Sequence, residues 1–72
     1  MHKLAQWVRN KRIKEGMTLI EFGRHVDLSY ITIHHIEHGK IVGSKALRQL
    51  ASKYHVTTKF LRGLMTDDVN NK

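Results

Sequence analysis

The residues able to do chemistry are six His, thirteen Lys and Arg, and a Tyr-Ile pair at positions 30 and 31. His34 and His38 stand one helical turn apart with His35 beside them, a spacing that can hold a divalent ion. Two imidazoles with no Cys and no uncommitted carboxylate bind a metal weakly, so neither a metal nor a cofactor is expected. As polar groups the same rings gain charge below about pH 6.5, which favours contact with phosphate. Lys40, Ser44 and Lys45 follow closely, two cations and a hydroxyl suited to a phosphodiester backbone. No Ser/His/Asp, Cys/His or paired-carboxylate arrangement and no Gly-rich phosphate loop is present, so the chain is not expected to be an enzyme or to take a small-molecule substrate.

The elements that must position these groups run from Thr18 to Glu37. Thr18 and Glu21 have the spacing of a capping box, which predicts a helix start at Thr18. Phe22, Gly23 and Val26 share one face of that helix, and Gly23 lets a second helix cross closely. Asp27 tolerates the left-handed conformation of a sharp helix exit, and Ser29 is a good N-cap for the next helix. Ile33 and Ile36 give that next helix its buried stripe, leaving Tyr30, Ile31, His34 and His35 directed elsewhere.

On either side of this unit the helical spacing continues. Lys3 to Lys14 reads as a first helix with Leu4 and Val8 on the apolar side and Ile13 closing it. Basic residues crowd its end, and Glu15-Gly16 supplies the exit. Ser44 is expected to cap a fourth helix reaching about Tyr54, with Leu47, Leu50, Ala51 and Tyr54 as its stripe. Thr57 caps a fifth, in which Phe60, Leu61 and Leu64 close the core. The polar stretch over 67–72 is expected to be a flexible tail.

With 72 residues there is room for one small core and no second domain. A formal charge of +7 and a pI near 10.2 point first to nucleic acid or an anionic surface. The start of the chain has no apolar run of the signal-peptide kind and no stretch long enough to span a bilayer, so a soluble, cytoplasmic protein with no membrane partner is expected.

Arg12, Gly16, the Thr18 cap, Leu28-Ser29, Ile33 and the ending Ile36-Glu37-x-Gly39-Lys40 resemble, in type and spacing, the helix-turn-helix domain of phage Cro and repressor proteins and their bacterial relatives. Leu47, Leu50, Ala51, Val56, Phe60 and Leu61 extend the resemblance over most of the chain. It implies an all-α fold, a single five-helix helix-turn-helix domain of the phage repressor/Cro type over 1–66. It implies a structural, partly buried ion pair between Arg12 and Glu37, tying the first helix to the third. It assigns DNA base contacts to Tyr30, Ile31, His34 and His35, and phosphate contacts to Thr18, His38, Lys40, Ser44 and Lys45. The partner so implied is double-stranded operator DNA, bound by a weak homodimer in the genetic switch of a phage or other mobile element.

One departure from that pattern changes the expectation. Where members of the family commonly carry Gln, this chain has Leu19, Tyr30 and Ile31. Direct readout favours Arg, Asn, Gln or Lys, and the third helix offers none of them. Ile31 can still meet a thymine methyl and a His can bond guanine, so operator recognition together with a partner phage repressor remains the first expectation. The alternative is an antirepressor, a modulator that grips the partner repressor through Leu19, Tyr30, Ile31 and His34 and alters its DNA binding. Leu19 stands three residues before Phe22 and has core as its other possible place.

Overall fold

The computed structural model describes the backbone of residues 3–70 and the side chains of residues 3–66, and its described residues form five α-helices and no strand. These are α1 (Lys3–Lys14), α2 (Leu19–Val26), α3 (Tyr30–Glu37), α4 (Ser44–Tyr54) and α5 (Thr58–Asn70). None of them is long and apolar enough to cross a membrane. Helices of such length are marginal in isolation, so packing must hold them.

Each helix gives one stripe to a shared core. Leu4 and Val8 from α1, Phe22 and Val26 from α2, Ile33 and Ile36 from α3, Leu47, Leu50 and Ala51 from α4, and Leu61 from α5 are all buried. No polar or charged residue among those described is buried with them. α3 packs on α2 and α1, α5 on α1 and α4, and α2 on α4. No comparable contact joins α3 to α4, so the side of α3 facing the start of α4 is left open.

Four details differ from the reading of the sequence. Ile13 is 55% exposed and closes nothing. It lies nine residues after Leu4, half a turn out of phase at 3.6 residues per turn. Phe60 is also exposed, at 44%, because α5 turns Leu61 inward instead. Gly43, not Ser44, is the N-cap of α4, and it makes no side-chain cap bond. α5 continues as helix to Asn70, into the stretch expected as a tail, while residues 71 and 72 and the side chains from 67 onward lie outside the described residues.

Away from α3, an aromatic group binds the outer helices together. Trp7 meets Tyr54 edge-on with ring centroids 5.5 Å apart, and Phe60 at 6.2 Å. Lys11 lies 5.2 Å above the Trp7 ring and 5.4 Å above that of Tyr54, so its charge is held against two π faces. The Tyr54 hydroxyl donates to Glu15 at 2.7 Å, and the other Glu15 oxygen lies 3.1 Å from His25 Nε2. Burial, followed by that bond to Glu15, pushes the Tyr54 phenol well above its ordinary range.

Candidate interface on the second and third helices

The capping box at Thr18 is complete. The Glu21 N–H donates to Thr18 Oγ1 at 3.2 Å, and the Thr18 N–H donates to the Glu21 carboxylate at 2.9 Å. At the other end Asp27 adopts φ 60°, ψ 46°, and the Leu28 N–H donates back to the Gly23 carbonyl at 2.8 Å. This turn is tight enough that a Cβ on Gly23 would stand 2.5 Å from the Leu28 carbonyl oxygen and 3.2 Å from the Tyr30 nitrogen. Only a glycine lets the backbone approach that closely. Ser29 then caps α3, accepting from the Thr32 N–H at 3.2 Å, with the two hydroxyls 3.0 Å apart.

The far end of α3 is held by Arg12. Its Nε donates to one Glu37 oxygen at 2.7 Å and its Nη2 to the other at 3.0 Å, the planar fork that suits a carboxylate. Its Nη1 donates to the Met17 carbonyl at 3.1 Å, so a single guanidinium joins α1, the connection into α2, and α3. The two side chains are 18% and 8% exposed. The hydrogen bonds that Arg12 donates to Glu37 outweigh the desolvation, and the Arg12 pKa rises.

With its ends and inner stripe fixed, α3 presents the rest of its side chains outward. Tyr30 is 50% exposed and Ile31 51%. His34 and His38 are exposed, and His35 is half-buried. His38 Nδ1 lies 2.8 Å from the His34 carbonyl, which can only accept, so Nδ1 is the donor in this contact. The His34 and His38 rings stack with centroids 4.0 Å apart, and the His35 ring is 6.2 Å from that of His34. Among the described residues no group of three or more His, Cys, Asp or Glu is placed to hold a metal ion. Leu19 is half-buried against the core, dividing its surface between packing and solvent.

The charges around this face are unevenly matched. All four carboxylates in residues 3–66 have internal partners: Glu15 with Tyr54 and His25, Glu21 with its cap, Asp27 with Gln49 at 3.1 Å, and Glu37 with Arg12. Lys40, Lys45 and Ser44 are exposed after α3 without such partners, as are Arg24 and Arg48. Ser44 brings its hydroxyl to the first turn of α4 beside Lys45, although it does not cap that helix. Thr18 is also exposed, with its hydroxyl already an acceptor within the capping box.

One feature is illegible in the sequence. An open groove of about 580 Å³ runs between the α2–α3 turn and the start of α4. It collects Arg24, Thr32 and Val42, which no motif singled out, alongside His35 and Lys45. The only hint is Gly43, which puts no side chain between α3 and α4. No family model, curated protein or solved structure matches the chain.

Proposed function

We propose that this chain is a small helix-turn-helix regulator of the phage repressor and Cro type, acting on a genetic switch together with a partner repressor. The observation that carries the reading is the outward face of α3. Tyr30 and Ile31 each leave about half their surface in water on a helix whose ends and inner stripe are fixed, beside cations that have no internal counterion. Lys40, Lys45, Ser44, Thr18 and His38 supply sequence-independent contacts to the phosphates of duplex DNA. Tyr30, Ile31, His34 and His35 face the bases or the partner, and the half-exposed Leu19 extends that surface.

A second reading, the antirepressor that holds the repressor and has little sequence preference of its own, is favoured by the imidazoles. His34 and His38 stack on one another, and His38 spends Nδ1 on its own backbone. That leaves a poor set of donors and acceptors for base edges.

Fluorescence anisotropy of a labelled duplex from the protein's own upstream region, titrated at several salt concentrations with and without the repressor of the same switch, tests both. Binding by this protein alone at least about a thousandfold tighter than to scrambled DNA would establish direct operator reading. Salt-erased binding that becomes specific only when the repressor is present supports the joint mode, and loss of the repressor from its site supports the antirepressor. A chain that binds neither duplex nor repressor sinks the proposal.

A further inference from the structure

We infer that the groove between the α2–α3 turn and the start of α4 receives an acidic segment of a partner protein, one that inserts an apolar side chain between two carboxylates. This goes beyond the proposed function, because Tyr30 and Ile31 do not line the groove, and it rests on that reading only in taking the ligand to be protein.

The groove combines two kinds of surface. Leu28, Val42 and Ala46 supply apolar floor, and the groove's volume of about 580 Å³ lies within the range of about 300–1,000 Å³ typical of ligand sites. Arg24 from α2, Lys45 from α4 and His35 from α3 surround that floor. Arg24 and Lys45 are exposed and have no ion-pair or hydrogen-bond partner. Among residues 3–66 Asp27 is the one carboxylate lining the groove, against the two cations Arg24 and Lys45, and Glu15, Glu21 and Glu37 are engaged elsewhere, so the rim keeps a net positive charge. Charge complementarity therefore calls for an anionic ligand.

A phosphodiester backbone meets the charge but not the rest of the site. It carries no apolar group for the floor and no N–H donor for the Asp27 carboxylate, which also lines the groove. That carboxylate takes one bond from Gln49 and keeps capacity to accept another, for example from a peptide N–H. A polypeptide with a Leu, Met or Phe flanked by Asp or Glu satisfies floor, rim and Asp27 together. Ser29 and Thr32, whose hydroxyls bond one another at the edge of the groove, form a neutral wall on the side of α3.

The test uses the full chain, labelled with ¹⁵N, and three probes: a short acidic amphipathic peptide with Leu among Glu and Asp, its analogue with Gln for every acid, and a short DNA duplex. The acidic peptide should shift the amide signals of Leu28, Thr32, Val42 and Ala46, and the neutral analogue should bind about tenfold or more weakly. Arg24→Glu with Lys45→Glu should weaken the acidic peptide by at least about tenfold, and Arg24→Gln with Lys45→Gln by less. Lys53→Glu with Lys59→Glu makes the same change of net charge away from the groove and should stay within about twofold. Thermal melts of each variant separate loss of binding from loss of fold. Equal weakening by both charge-reversed pairs would reduce the effect to general attraction and overturn the inference. So would groove signals that move with the duplex and not with the peptide. Neither result touches the anisotropy experiment on the repressor, so the two proposals fail separately.

Discussion

The inner and outer sides of α3 are built from the same eight residues and do opposite things. On the inner side Ile33 and Ile36 are buried, Glu37 is forked by Arg12, and the backbone entering the helix touches Gly23. On the outer side Tyr30, Ile31 and His34 make no side-chain hydrogen bond, ion pair or ring contact with another helix among the described residues, and His34 meets only the imidazoles of His35 and His38. One side is specified by folding and the other is free to be specified by a ligand. Substitutions on the inner side should therefore cost stability, and those on the outer side binding.

The sharpest way to break that contrast is Gly23→Ala. Its Cβ would meet backbone, which cannot rotate away, and the turn would have to open; a loss of about 3 kcal/mol is expected in denaturant titration. A loss under about 1 kcal/mol would mean that the α2–α3 crossing is looser than described. Next comes Arg12→Ala, which leaves the Glu37 carboxylate mostly buried without its fork and frees the Met17 carbonyl. About 2–3 kcal/mol should be lost by the same measurement, less than for a fully buried pair because some water reaches both groups. Arg12→Lys should recover only part of it, since an ammonium cannot repeat the planar fork.

On the outer side, Tyr30→Ala and Ile31→Asp should each change stability by under about 0.5 kcal/mol while removing the proposed complex with a repressor in anisotropy. A large drop in thermal midpoint for either would move these residues to the inner set. The smallest effect is expected at Gly43, whose φ of −79° suits any residue and whose added Cβ meets nothing within 4 Å. Gly43→Ser should stabilise α4 by about 0.3 kcal/mol, visible as a small rise in thermal midpoint.

Local signals were the most readable part of the chain. The caps at Thr18, Ser29 and Thr57 and the left-handed exit at Asp27 depend on residues at most three apart, so a single sequence displays them. The Arg12–Glu37 fork spans 25 residues and was reached only through the resemblance. Phase errors explain Ile13 and Phe60: an apolar residue near a helix end looks like core until the helix's rotation is known. The groove is harder still. Arg24, Thr32 and Val42 come from three segments with no shared spacing, and only the folded arrangement of the α2–α3 turn and the start of α4 brings them around one space.

The fork of Arg12 has a further consequence for motion. An eight-residue helix would ordinarily fray from its ends, but α3 opens at its C-terminal end only if the guanidinium lets go of Glu37, and the same group also holds the Met17 carbonyl. Local opening of α3 is thereby coupled to α1 and to the entry of α2. The amide protons of Ile36, Glu37 and His38 should accordingly exchange with solvent on the timescale of global unfolding, as part of one cooperative unit with the amides of α1. A partner would then meet a surface already ordered, with little conformational entropy left to lose on binding.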